Sequence, residues 1–238
     1  MDKKEFILQT FDTRFFGFPV YKFEPKSISE IQGLTRFIPA DAGLVSMRVP
    51  IEWSYATTST VFREIERLVV LERQLRPDEH RELRNNVRIC SIADAHACEA
   101  LAKRCFKHDR YHKDPFIDNN IANATKGQWA FNNVVSRGDC GFVIDIENRV
   151  VGFNLCRREN DKALIDLIAV DPQIQGKGYG QALVCAALQH YARECKVIQV
   201  GTQRDNHSSL AIYEKTGFHK VQEYVTYHWT LNQWDNRK

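Results

Sequence analysis

Residues 163–218 read ALIDLIAVDPQIQGKGYGQALVCAALQHYARECKVIQVGTQRDNHSSLAIYEKTGF. An apolar run, Ile165–Val170, enters the glycine-rich turn Gln175-Gly176-Lys177-Gly178-Tyr179-Gly180. From Gln181 to Glu194, residues Leu183, Val184, Ala187, Leu188 and Tyr191 recur at helical spacing, which predicts a helix with those side chains as its buried stripe. A second apolar run, Lys196–Val200, leads to Asn206, Tyr213 and Gly217-Phe218. Glycine lacks a Cβ, so backbone N–H groups in the turn approach an anion closely and adopt positive φ where needed. The helix start adds unpaired N–H groups and the positive end of its dipole. The turn is therefore predicted to hold an anion without help from a cationic side chain.

A glycine-rich turn taken alone also fits an ordinary strand-to-helix connection. Two other phosphate motifs fail here. A Walker loop needs Gly-x4-Gly-Lys-Ser/Thr, which Gly176-Lys177-Gly178 does not supply. A dinucleotide fingerprint needs Gly-x-Gly-x-x-Gly and an acid after the next strand. The glycines here run Gly-x-Gly-x-Gly, and Lys196–Val200 ends in Gly201-Thr202-Gln203.

The order of these motifs resembles the GNAT superfamily of acyl-CoA N-acyltransferases. The resemblance implies a GNAT fold, an α/β (α+β) arrangement on a central mixed sheet, with acetyl-CoA as co-substrate. Ile165–Val170 corresponds to the fourth strand of that fold. Leu167, Ile168, Ala169 and Val170 are then expected along the cofactor, with bulge-like amides near Leu167–Ala169 polarising the thioester carbonyl. The pyrophosphate falls to Gln175, Gly176, Lys177, Gly178, Tyr179, Gly180 and Gln181. Asn206, a natural helix cap by residue type, is implied as a contact to the pantetheine arm. Tyr213 is implied as the general acid for the departing thiolate. A thiol pKa of about 8.5 against about 10 for tyrosine keeps that proton transfer modest in cost.

The runs Leu167–Pro172 and Val200–Asn206 are similar to a narrower branch, that of dTDP-fucosamine acetyltransferase. Its members acetylate the amine of a nucleotide-linked 4-amino-4,6-dideoxysugar. Phe11-Asp12-Thr13-Arg14-Phe15-Phe16-Gly17 resembles the start of these amino-sugar enzymes, and Lys126-Gly127-Gln128-Trp129…Arg137-Gly138 their second-helix pattern. Phe62-Arg63-Glu64-Ile65-Glu66 departs from the branch, which often carries a glycine there.

The whole chain narrows the classes of function. Its 238 residues suit one large domain or one and a half. A net charge of +3 without a basic block does not indicate nucleic-acid binding. Seven scattered cysteines with no Cys-x-x-Cys are expected to be reduced core residues of a cytoplasmic protein. No signal peptide, membrane span or repeat is apparent.

Along the chain, strands are predicted at Val20–Phe23, Gly43–Val49 and Arg67–Leu75, and a helix at Ile28–Phe37. Residues 1–80 form a smaller N-terminal α/β unit, Arg76–Glu82 a linker, and 84–238 the GNAT domain. That domain opens with a strand at Val87–Cys90. Asp94 is expected to cap a helix over Ala95–Phe106. A second helix spans Ile117–Ser136, and a hairpin joins Gly141–Ile146 to Val150–Cys156. A helix at Ser208–Thr216 and a terminal strand pair around Phe218–Leu231 complete it.

For the acceptor, an amine of pKa about 7.7–8.0 needs no strong base near pH 7, whereas a lysine at about 10.4 costs over three times as much to neutralise. Asp166 is the fallback base, with a structural role as the alternative. Leu164 stands where histone-type relatives carry a glutamate. His108, Arg110 and Tyr111, in a polar stretch between the first two helices, and Gln203 at the mouth of a strand are candidate substrate contacts. His108 and His112 lack a third metal ligand, so no metal is expected. The expected partner is a small amino-sugar nucleotide in lipopolysaccharide or other surface-polysaccharide biosynthesis, with neither nucleic acid nor membrane. A homodimer paired through the terminal strands is a further candidate. The alternatives are acetylation of another small amine or a peptide N-terminus, or a non-catalytic acyl-CoA sensor. A sensor would show loss of Tyr213 or of the glycine turn, and both are present.

Overall fold

A computed structural model describes residues 4–57, 61–78 and 86–231. In chain order the first elements are β1 (Phe6–Leu8), α1 (Thr10–Phe16), β2 (Val20–Phe23), α2 (Ile28–Ile31), β3 (Leu44–Pro50), β4 (Arg63–Gln74) and β5 (Val87–Ile89). Next come α3 (Ala95–Cys105), α4 (Arg110–Lys113), α5 (Asn119–Asn132), β6 (Cys140–Ile146), β7 (Arg149–Glu159) and β8 (Lys162–Val170). The last are α6 (Tyr179–Tyr191), β9 (Val197–Gln203), α7 (His207–Lys215) and β10 (His219–Thr230).

The chain forms two compact units. Unit 1 comprises Met1–Leu68, His108–Ala122 and Gln222–Lys238; unit 2 comprises Val69–Lys107 and Asn123–Val221. The division differs from a single cut between 80 and 84. The segment around α4 and most of β10 join the N-terminal residues, and β4 runs through both units. Of the expected linker, residues 79–82 lie outside the described residues.

Unit 1 orders its strands β1-β2-β3-β10-β4. β2 and β3 are parallel, whereas β3 and β10 are antiparallel over Leu44–Pro50 and Tyr224–Thr230. Val45, Met47, Val49, Val225, Tyr227 and Trp229 alternate onto one buried face, the period-two pattern of a sheet with a core on that side.

Unit 2 runs β4-β9-β8-β7-β6-β5. β8 and β9 are parallel, and β5 to β8 form antiparallel neighbours. α6 and α7 cover one face, with Leu183, Val184, Ala187, Leu188, Tyr191 and Tyr213 in a core shared with Ile165 and Val200. α3 and α5 cover the other, where Leu101, Ala130, Phe153 and Leu167 meet. The mixed sheet between helical layers is the expected α/β architecture, and the stripe predicted for α6 is buried throughout.

Local chemistry accounts for the departures. The helix expected over Ile28–Phe37 stops at Ile31; Gly33 adopts φ 63° and a 3₁₀ turn follows at Leu34–Phe37. Asp94 acts inside the capping box begun by Ser91, accepting from the Ser91 N–H, rather than through a side-chain cap on α3. The terminal strand pair is one twelve-residue strand, β10. Its sequence HKVQEYVTYHWT holds no Gly, Pro, Asn or Asp to turn it. Over Tyr224–Thr230 β10 pairs with β3, and β4 is its other neighbour, so that stretch lies inside the sheet.

All seven cysteines are free thiols. Burial pushes Cys105 and Cys140 up to about 11 and Cys156 well above the ordinary thiol value. No helix among the described residues is long and apolar enough to cross a membrane.

The β6–β7 hairpin turns through Glu147 and Asn148, both at positive φ (52° and 60°). This geometry is natural for asparagine and strained for glutamate. Replacing Glu147 with glycine should stabilise the fold by about 0.5–1 kcal/mol in urea unfolding. A destabilised variant would show that the Glu147 side chain carries the turn.

Candidate active site

In unit 2 the ladder between β8 and β9 is shorter than the strands themselves. β8 and β9 pair from Lys162 with Val197 to Ile165 with Val200. Both strands continue, to Val170 and Gln203, without further ladder between them. On its other side β8 stays paired to β7 with a skip. Leu155 faces Leu167 and Cys156 faces Ile165, leaving Asp166 unmatched. The extra residue reverses the alternation of β8. Ala163 and Ile165 pack toward α6 and α7, whereas Leu167 and Ala169 pack toward α3 and α5. The irregularity expected near Leu167–Ala169 therefore starts at Asp166. Beyond it, the backbone edge of β8 that faces β9, including Ile168 and Val170, has no ladder partner.

The glycine turn closes one end of this opening. Asp171 caps the 3₁₀ turn Pro172–Ile174 by accepting from the Gln173 N–H at 3.1 Å. Arg104 and Arg149 reach the same carboxylate at 2.8 and 2.9 Å. The Gln173 N–H and these guanidiniums hold Asp171 below the usual carboxylate range. Gln175 Nε2 donates to the Val170 carbonyl at 3.0 Å. Gly176 and Gly178 both adopt φ 80°, and Gly178 is the N-cap of α6. Gln175, Gly176, Lys177, Gly178 and Gln181 are exposed, with Tyr179 half-buried. A Cβ on Gly176 would meet nothing within 4 Å, so glycine is needed there for its conformation. Gly180 differs: a Cβ would lie 2.8 Å from Ile212 Cδ1, so this glycine lets α6 approach α7. Exposed N–H groups at the start of a thirteen-residue helix suit a pyrophosphate.

Tyr213 is set by the end of α7. The Phe218 N–H donates to the Tyr213 carbonyl at 2.9 Å and the Gly217 N–H to Glu214 at 3.0 Å, with Gly217 at φ 86°. These two bonds make a Schellman motif, and the Tyr213 and Phe218 rings, 5.4 Å apart, supply its apolar contact. The spacing Tyr-x3-Gly-Phe is thus a helix stop that fixes the tyrosine. Tyr213 is buried, and desolvation, with Cys156 nearby, raises its phenol well above the usual value. At the other end of α7, Asn206 Oδ1 accepts from the Ser209 N–H at 3.3 Å, the cap its residue type suggested. Gln203 is half-buried where β9 ends.

Asp166 is held by two hydrogen bonds on one oxygen and by an ion pair on the other. Its Oδ2 accepts from Trp129 Nε1 at 2.9 Å and Asn133 Nδ2 at 3.0 Å, and its Oδ1 pairs with Arg157 Nε at 3.2 Å. Oδ2 is thus taken up by two donors, whereas the Arg157 contact to Oδ1 is an ion pair and not a hydrogen bond. Tyr213, Asn206, Gln203, Asp166 and the glycine turn all belong to unit 2. His108, Arg110 and Tyr111 belong to unit 1. There His108 is exposed, while Tyr111 is buried and donates to Asp12 Oδ2 at 2.7 Å. Arg110 donates to the Tyr111 hydroxyl at 3.2 Å and stacks 4.6 Å above that ring. Among the described residues, no group of three or more His, Cys, Asp or Glu is arranged to hold a metal ion.

Sequence reading missed Asp171 with its two arginines, and the donors around Asp166. The first had a signal, an Asp-Pro pair at a strand end. The second had none, because Arg137 and Arg157 meet Asp166 only through tertiary packing.

Gly217→Ala should destabilise the fold by about 1–2 kcal/mol in urea unfolding, since alanine resists the left-handed conformation. Because burial raises the Tyr213 phenol, its proton should stay in place from about pH 6 to 9. A fall in kcat within that window that disappears in Tyr213→Phe would contradict this placement.

A model described as the Acetyltransferase (GNAT) family matches residues 96–218. The spore coat polysaccharide biosynthesis protein SpsD of Bacillus subtilis (strain 168) is 29% identical over 136 residues, covering 57% of this chain and 47% of that protein. A mycothiol acetyltransferase of Kocuria rhizophila is 33% identical over 99 residues, covering 37% of this chain and 32% of that protein. The chain thus matches about half or less of the length of these curated relatives. The crystal structure of a GCN5-related N-acetyltransferase from Sphaerobacter thermophilus superposes with a TM-score of 0.59 at 12% identity, over 89% of this chain and 73% of that one. At that identity the likeness is one of fold.

Proposed function

This chain belongs to the acetyltransferase (GNAT) family, whose members use acetyl-CoA as co-substrate, and we propose that it acetylates the amine of a nucleotide-linked amino sugar in surface-polysaccharide biosynthesis. The observation that carries the transfer chemistry is the loss of pairing between β8 and β9 beyond Ile165 and Val200, in a unit that also holds the exposed glycine turn and Tyr213. The polysaccharide assignment is supported by the similarity to a spore coat polysaccharide biosynthesis protein. The narrower assignment, a dTDP-linked 4-amino-4,6-dideoxysugar, rests on the runs Leu167–Pro172 and Val200–Asn206.

Bound acetyl-CoA supplies an acyl thioester. The N–H groups of Gln175–Gly180 and the start of α6 hold its pyrophosphate. Unpaired backbone groups of β8 past Asp166 line the pantetheine arm, and an amide there stabilises the charge that develops on the carbonyl oxygen. The acceptor nitrogen bonds to the acyl carbon, the carbon–sulfur bond breaks, and the Tyr213 hydroxyl gives its proton to sulfur. Burial that raises the phenol also disfavours a thiolate released beside it, so the two values stay close enough for transfer. The proton lost by nitrogen as the amide forms returns through water to the Tyr213 oxygen, and the ammonium proton shed before attack leaves to solvent. At a pKa of about 7.7–8.0 this deprotonation costs only about 1.4 kcal/mol near pH 7, and no carboxylate base is required. Asp166 serves to hold Trp129, Asn133 and Arg157 in place.

Release of free thiol from acetyl-CoA against a panel of amino-sugar nucleotides tests the assignment. A dTDP-4-amino-4,6-dideoxyhexose is expected to be the best acceptor. Preference for an unrelated small amine or a peptide N-terminus would move the reading to those classes. Tyr213→Phe should lower kcat by on the order of 10²–10⁴ and leave coenzyme A binding intact. Unchanged turnover would remove Tyr213 from the acid role.

A further inference from the structure

Around Asp166, unit 2 gathers more positive charge than its internal structure consumes. Arg157 on β7 pairs with Asp166 Oδ1 at 3.2 Å, and Arg137, in the π-helical turn Asn133–Arg137 after α5, lies 4.0 Å from Oδ2. Trp129 carries Arg137 at 5.0 Å and Lys126 at 4.7 Å from its ring centre. Two guanidiniums therefore face one carboxylate that is only 9% exposed, and a third cation, Lys126, lies on the Trp129 ring bonded to it. The other acid in contact, Glu159, pairs with Arg157 at 3.3 Å and is largely in solvent. Trp129 and Asn133 donate to Oδ2 and Arg157 balances the charge at Oδ1, so Arg137, 4.0 Å away, is surplus to the burial of Asp166.

The arginines are also accessible. The Arg137 side chain is 44% exposed and that of Arg157 28%. Their carboxylate partner restrains both, which reduces the side-chain entropy lost when a ligand binds. Beside them Asn133 Oδ1 is buried with no hydrogen-bond donor, an acceptor left for a hydroxyl or amine. The cluster is built on Asp166, the residue at which β8 slips its register, so it adjoins the stretch of β8 released from β9.

We propose that Arg137 and Arg157, oriented by Asp166, bind the diphosphate of the acceptor, which makes them the residues that select a nucleotide-linked amine over a free one. The inference rests on the amino-sugar-nucleotide reading and adds to it a second anion site, separate from the glycine turn that serves coenzyme A. A guanidinium pair matches phosphate oxygens in a fork geometry that lysine does not offer. Asp166 is a positioning residue here.

The test uses the full chain with coenzyme A at saturation, so that the glycine turn is filled, and titrates dTDP by calorimetry. Wild-type protein should take up one dTDP. Arg137→Gln and Arg157→Gln should each weaken that binding by roughly ten- to a hundredfold. Arg157→Lys, which keeps the charge and loses the fork, should fall between. Arg158→Gln, whose residue pairs with Glu194, should leave it unchanged. With a productive acceptor, the Arg137 and Arg157 variants should raise KM much more than they lower kcat. No uptake by the wild type, or equal uptake by both Gln variants, would overturn the proposal. So would Gln variants that lose coenzyme A affinity and melting temperature in step with dTDP binding, because that pattern marks a purely structural cluster. If coenzyme A itself fails to bind, the acetyltransferase reading falls, and dTDP titration without it still decides the arginine site.

Discussion

The one-residue slip at Asp166 is the constraint from which the site follows. A β-strand alternates its faces with period two, so a single unmatched residue exchanges them. In β8 the exchange lets Ile165 pack beneath α6 and α7 while Leu167, two residues on, packs beneath α3 and α5. Both helical layers are thereby anchored by the same short strand. The ladder to β9 ends at the residue before the slip. Backbone hydrogen-bonding capacity that a regular sheet would have consumed is left along one edge, and buried capacity of that kind requires a partner.

The elements around the opening are stiff for identifiable reasons. Eight of the thirteen residues of α6 are buried, so its start is a fixed platform. Asp171, bonded to one backbone N–H and two guanidiniums, ties the strand end to the turn that precedes that platform. α7 stops abruptly in a Schellman motif whose apolar contact is the Tyr213 ring itself. Helix termination and placement of the phenol are one event, because the residue whose carbonyl receives the stop is the residue whose hydroxyl matters.

Much of unit 2 was legible in the sequence because its signals are local. The glycines at 176 and 178 announce positive φ, the α6 stripe has helical spacing, and Asn206 is a cap by residue type. Gly180 was read as part of the anion cradle, yet its lack of Cβ serves packing against Ile212, a contact thirty-two positions away. Unit 1 was harder. Its sheet draws β10 from the far end of the chain to lie beside β3, and no local pattern reports such a pairing. Nor does any local pattern in the polar stretch at 108–112, read for candidate substrate contacts, report that Tyr111 is buried against Asp12, ninety-nine positions earlier. The cations around Trp129 come from α5, its π-helical end and β7, and only the folded sheet assembles them.

The buried sulfurs affect how turnover of this chain can be followed. Thiol reagents react with thiolates, and burial holds Cys105, Cys140, Cys156 and Cys195 in their protonated form. Cys90 is half-buried, and its hydrogen bond with the Cys98 sulfur draws it below the ordinary thiol value. A chromogenic disulfide added to the native protein should therefore register chiefly one rapid equivalent before any substrate is present. Colour beyond that equivalent then counts coenzyme A as it is liberated.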